Sequence, residues 1–91
     1  MIRVAIIGCG LVGQKRARSL AGAKLVACAD LDRSKAGDLA RHVKGCAVFP
    51  DWLSVIRNDQ IDLVIVATPH NLLAEIAGAA VREGKHVLVE K

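Results

Sequence analysis

The sequence predicts one α/β domain, residues 1–91: an open parallel sheet wound on both faces, with five strands in the order 3-2-1-4-5. Three observations carry that prediction. Short apolar runs rich in β-branched residues alternate with stretches of helical periodicity along the whole chain. The connections are short, and parallel strands joined in this way need helical, right-handed crossovers. Of 91 residues, 53% are hydrophobic before the 8 glycines are counted. Ordinary domains reach roughly 45–50% apolar usage with glycine included, and a sheet buried on two sides accounts for part of the excess.

The elements follow in order. Residues 2–7 (IRVAII) read as the first strand. Residues 11–21 form a helix with Gly13, Ala17, Leu20 and Ala21 on one face and Gly22 as its stop. Residues 25–29 (LVACA) make the second strand, which ends at Asp30, and Asp32 is placed to cap the next helix. There Ala36, Leu39, Ala40 and Val43 recur at helical spacing, and Gly45 ends the run. Residues 46–49 (CAVF) give a short third strand. Pro50 and Asp51 open a short helix carrying Leu53, Val55 and Ile56, broken at Asn58 and Asp59. Residues 61–67 (IDLVIVA) are the strongest strand, terminated by Thr68 and Pro69. A helix from about Asn71 to Glu83 presents Leu72, Ile76, Ala79 and Ala80 on one face. Gly84 closes it, and residues 86–89 form the fifth strand.

Composition excludes several function classes. No apolar run approaches the roughly 18–20 residues of a membrane span. The N-terminal stretch has Arg3 as its only charge and is interrupted by glycines, which does not make a secretory signal. A cytoplasmic location is expected. Cys9, Cys28 and Cys46 show no C-x-x-C pair and no metal-ligand spacing, so three reduced, mostly buried thiols and no metal centre are expected. The net charge of +4 is spread along the chain, and Phe49 and Trp52 are too few for a base-stacking platform. Nucleic-acid binding is not expected.

The chemistry lies in GCGLVG, which leaves a strand and opens a helix. Gly8 permits the tight turn, Gly10 lets a pyrophosphate approach bare backbone, and Gly13 lets helix and strand pack closely. Free amides at the helix start and the positive end of its dipole make an anion site around Gly8, Cys9, Gly10, Leu11, Val12 and Gly13. Lys15, Arg16 and Arg18 raise the local potential without an assignment to phosphate. Asp30, at the end of the second strand with Leu31 beside it, can accept hydrogen bonds from the adenosine ribose and would repel a 2′-phosphate. NAD is therefore favoured, although a nearby guanidinium, Arg33, could tolerate NADP. This is the pattern of a Rossmann-type dinucleotide-binding unit.

The stretch ATPHNLLAEIAGAAVREGKHVLVEK, residues 67–91, extends the reading. It resembles the glucose–fructose oxidoreductase and inositol dehydrogenase (Gfo/Idh/MocA) family, with its T-P-N-x-x-H turn and its G-K-H-V-x-x-E-K-P end. Thr68-Pro69, Gly84-Lys85-His86-Val87 and Glu90-Lys91 match that pattern. The resemblance implies that Ala67, Thr68 and Pro69 line the cofactor near its nicotinamide half and that Glu90 sits near its ribose. It implies that Lys91 is the catalytic lysine, which stabilises or deprotonates a substrate hydroxyl as hydride leaves the carbon. Two positions depart from the family pattern: His70 stands where Asn is usual, and Leu73 where His is usual. No role of that missing His carries over.

The implied activity is hydride transfer between NAD and a secondary alcohol of a sugar, cyclitol or similar polyol. The family's substrate domain would follow Lys91, so the chain is read as a fragment of the dinucleotide-binding domain that binds cofactor but does not turn over alone. An exposed fifth strand then invites a homo-oligomer. Two alternatives remain: a stand-alone NAD(H)-sensing module, and a fragment of an amino-acid pathway dehydrogenase of the aspartate or homoserine type.

Overall fold

The computed structural model describes residues 1–20 and 22–90. Its elements are β1 (Ile2–Ile7), α1 (Leu11–Arg18), β2 (Ala23–Ala29), α2 (Arg33–Arg41), β3 (Ala47–Val48), α3 (Trp52–Ile56), β4 (Leu63–Val66), α4 (His70–Arg82) and β5 (His86–Val89). The five strands form one sheet in the order β3-β2-β1-β4-β5, every pair parallel, as the sequence predicts.

The sheet buries both faces. On one face Ala5, Ile7, Val64 and Val66 pack with Val55 of α3 and with Ile76 and Ala80 of α4. On the other, Val4, Ile6, Leu25, Cys28 and Ile65 pack with Ala36 and Leu39 of α2, and Ala17 and Leu20 close over them. Alternate residues of β1 therefore serve different layers, which is why IRVAII is apolar without alternation. Each fully buried Ile or Val contributes roughly 1.5–3 kcal/mol relative to exposure.

Several boundaries differ from the sequence reading. The second strand begins at Ala23 rather than residue 25, because Ile2 and Arg3 pair with Ala23 and Lys24 across the ladder. The third strand shrinks to Ala47–Val48 because only Ala27 and Cys28 are opposite to pair with it. The fourth is regular only over Leu63–Val66, yet its flanks keep ladder bonds: Asp62 N–H donates to Arg3 O and Ala67 N–H to Ile7 O, both at 2.8 Å. α1 stops at Arg18, where the Ser19 hydroxyl bonds the Arg16 carbonyl at 3.1 Å and competes with a further turn. Ala21, expected on its apolar face, lies outside the described residues. α4 starts one residue early, at His70, and ends with Gly84 at φ 78°. There Gly84 N–H bonds Val81 O and Lys85 N–H bonds Ala80 O, both at 3.0 Å, a Schellman closure that requires the glycine.

Candidate functional site at the carboxyl rim of the sheet

Parallel strands deliver all their carboxyl ends to one rim, and the strand order reverses between β1 and β4, where ligands of open α/β sheets bind. The glycine turn sits at that point. Gly8 has φ 98°, and a Cβ there would lie 2.5 Å from the Ala67 carbonyl oxygen. A Cβ on Gly13 would lie 2.0 Å from the Gly8 carbonyl oxygen. These two glycines are demanded by packing. Gly10 differs: a Cβ there would meet nothing within 4 Å. The space above Gly10 is open, which fits a group approaching the backbone from outside.

Gly10 also caps α1 without any side-chain hydrogen bond, and no acidic residue lies in the first turn. The first amides of a helix have no internal partner, so those of α1 face the rim with the positive end of the dipole. Leu11 is 89% exposed and Val12 42%. Bare amides beneath two uncovered apolar side chains suit a diphosphate and the sugars that flank it. The residues present thus fit a dinucleotide.

Asp30 is half-buried at the end of β2 and does more than the sequence suggests. Its Oδ2 accepts from the Cys9 amide at 2.6 Å, and its Oδ1 accepts from the Asp32 amide at 2.8 Å. The carboxylate therefore clamps the glycine turn to the β2–α2 junction, and each oxygen keeps a further lone pair. Asp32 caps α2 as expected: its Oδ1 accepts from Ser34 N–H at 3.0 Å and from the Ser34 hydroxyl at 2.6 Å. Those bonds hold the Asp32 carboxyl below its usual range. Leu31 is 84% exposed beside the clamp.

On the other side of the turn, Ala67 and Thr68 are half-buried and Pro69 is exposed. The Thr68 Oγ1 is shut from solvent and, among the described residues, meets no hydrogen-bond partner; the same holds for the Arg16 Nε. Glu90, half-buried, follows β5, and its N–H donates to Val66 O at 2.9 Å. Lys91 lies outside the described residues. The structure thus gathers Gly8–Gly13, Asp30, Leu31, Ala67–Pro69 and Glu90 along one rim. Two open hollows, one beside α3 and one at the amino rim, do not touch it.

Two arrangements escaped the sequence reading. Arg16 bonds Glu90, with Nη2 2.6 Å from Oε1. The three cysteines, separated along the chain, converge: Cys28 lies in side-chain contact with both Cys9 and Cys46. All three are free, Cys9 and Cys28 buried and Cys46 partly so. Contact with Cys28 and burial push the Cys9 and Cys46 thiols up. Contact with the Cys46 and Cys9 thiols pulls Cys28 the other way. Among the described residues no cluster suited to a metal ion occurs, and no helix is long and apolar enough to cross a membrane.

A family model described as "Oxidoreductase family, NAD-binding Rossmann fold" matches residues 2–91. The chain belongs to the Gfo/Idh/MocA family. It is 38% identical over 94 residues to inositol 2-dehydrogenase 4 of Saccharopolyspora erythraea, covering 99% of this chain and 28% of that protein. A solved myo-inositol dehydrogenase from Lactobacillus casei, in complex with NAD(H) and myo-inositol, matches with a TM-score of 0.93 at 28% identity, over 100% of this chain and 28% of that one. Biliverdin reductase from Synechocystis, solved with biliverdin and NADP+, matches with a TM-score of 0.89 at 33% identity, over 99% of this chain and 29% of that one. Both dinucleotides thus occur among similar structures. The chain spans about 28% of the length of the curated inositol dehydrogenases it matches.

Proposed function

We propose that these residues are the NAD-binding domain of a dehydrogenase acting on a secondary alcohol of a sugar, cyclitol or similar polyol. The observation that carries this reading is the contrast among the three glycines. Two are forced by packing, and the third faces open space beside the bare amides of α1. The bound dinucleotide would supply the hydride chemistry. The chain's own residues bind and orient it: α1 amides on the diphosphate, Asp30 on the adenosine ribose, and Thr68, Pro69 and Glu90 toward the nicotinamide half. Lys91 is the proposed catalytic group, placed by its position in the E-K pair. Hydride departure leaves charge on the substrate oxygen, and an ammonium stabilises it. The remaining substrate groups belong to a second domain, in keeping with the share of the relatives that the chain spans. The reading includes a cytoplasmic setting, consistent with three free thiols.

Cofactor choice rests on Asp30. Calorimetric titration of the chain is expected to show NAD binding at least about tenfold tighter than NADP, with Asp30→Ala narrowing that gap. Equal affinity in the unaltered chain would overturn the NAD assignment. The purified 91 residues are expected to show no turnover. Measurable alcohol-dependent NADH formation would remove the second-domain part of the reading. The open edge of β5, with Leu88 43% and Val89 38% exposed, supports self-association of this chain. Sedimentation that returns a monomer at every concentration would count against it.

A further inference from the structure

β5 is the least supported strand near the site. It pairs with β4 alone, and only Val87 among its four residues is better than exposed. Its far end is nevertheless held. The Glu90 amide continues the ladder to Val66, and the Glu90 carboxylate is met by Arg16 from another layer. Arg16 stands on α1, less than one turn after Gly13, and its guanidinium meets the carboxylate at the tip of β5. A single side chain thus ties the glycine-turn helix to the tip of the edge strand.

This pair differs from the other ion pairs among the described residues. Arg3–Asp62 and Arg41–Asp38 are exposed on both sides, whereas the Glu90 side chain is only 15% exposed. A carboxylate that dry is costly unless a cation accompanies it. Among the described residues, the Arg16 Nε and the Thr68 hydroxyl are the two buried side-chain groups left open. Buried donors left open call for an explanation. Both lie on residues that flank the rim between the glycine turn and Glu90.

We infer that Arg16 is a positioning residue for the nicotinamide half of the site: it latches the tip of β5 to α1 and neutralises Glu90 there. The inference rests on the dinucleotide reading above. Without Arg16, the Glu90 carboxylate stands dry and uncompensated, and the tip of β5 that flanks the nicotinamide half loses its tie to α1. Glu90 is also the residue from which Lys91 departs, so its placement precedes that of the proposed catalytic lysine.

The test uses the chain itself, with Arg16→Gln and Arg16→Lys variants. Hydrogen exchange is read at the Glu90 and Val64 amides, and calorimetry measures NAD and ADP, the latter probing the adenosine half alone. Arg16→Gln is expected to lower protection at Glu90 about tenfold, with Val64 unchanged. The ratio of NAD to ADP affinity should fall about fivefold. Arg16→Lys should restore part of both, since it returns the charge without the fork. Adding Glu90→Gln to Arg16→Gln should recover part of the NAD affinity by removing the bare charge. A merely structural role would weaken NAD and ADP together. Unchanged Glu90 protection overturns the latch, and equal losses for the two ligands overturn the nicotinamide-half role. An unaltered chain that binds neither ligand refutes the dinucleotide reading instead, and the Glu90 amide still decides the latch.

Discussion

β1 and β5 carry similar apolar runs to the same rim of the same sheet, yet they end in different surroundings. Val4 through Ile7 are at most 2% exposed, whereas Leu88 and Val89 are 43% and 38% exposed. Composition does not explain the gap, since both stretches are aliphatic. Neighbours do: β1 lies between β2 and β4, and β5 has β4 alone. The adenosine half of the site therefore stands on a two-sided core and the Asp30 clamp. The nicotinamide half stands on an edge strand, with the Arg16–Glu90 pair as its cross-tie.

The largest test of that contrast is at the glycines. Gly13→Ala drives a methyl into the Gly8 carbonyl, and backbone cannot yield as a flexible side chain does. A loss of about 3 kcal/mol or more in denaturant titration is expected. Gly10→Ala should leave stability within about 1 kcal/mol while weakening NAD at least about tenfold. A Gly13→Ala chain as stable as the parent would show that the turn is not packed as described.

A second test compares the strands directly. Ile65→Ala, in the packed centre of β4, should cost about 3 kcal/mol. Leu88→Ala, on the open face of β5, should cost under about 1 kcal/mol. Comparable losses would mean that β5 is covered in solution, and Leu88→Lys should then dissolve whatever assembly covers it.

The smallest effect is one of pH, at the opposite end of the strands. Arg3 donates to Asp62 through its backbone N–H and its guanidinium, and those bonds pull the Asp62 carboxyl down to about 2. A folded-state value below the unfolded one gives stability that is present above the ordinary carboxylate range, near pH ~4. That stability is lost as pH falls through about 2. Asp62→Asn should flatten the acid limb of the stability curve in this window and leave the neutral-pH cofactor titration unchanged. The pair is solvent-exposed, so salt should reduce the effect.

The strand order and helix faces were legible in the sequence because burial imposes periodicity. Ile76 and Ala80, or Ala36 and Leu39, announce a face by spacing alone. Strand ends were less legible, because pairing depends on a partner: CAVF is as apolar as a strand needs, but only Ala27 and Cys28 are opposite to pair with it. The glycine turn was legible because Gly8 and Gly13 answer close backbone approaches and Gly10 leaves the helix start bare. What escaped was set by register across the sheet. Nothing local to Arg16 points to Glu90, and Cys9, Cys28 and Cys46 meet only once β1, β2 and β3 are aligned. Asp30 was read as a ligand group, while its bonds to the Cys9 and Asp32 amides also make it a structural brace.

Arg3 engages Asp62 and Gln60 at the amino ends of β1 and β4, and Lys85 Nζ reaches the Asn58 carbonyl at 2.6 Å nearby. These polar staples sit a full strand length from Gly8, Asp30 and Glu90. Part of the domain's durability thus lies apart from recognition. An engineer could harden the amino pole against acid without touching the dinucleotide pole, whereas retuning dinucleotide preference at Asp30 would also loosen the brace it makes to Cys9 and Asp32.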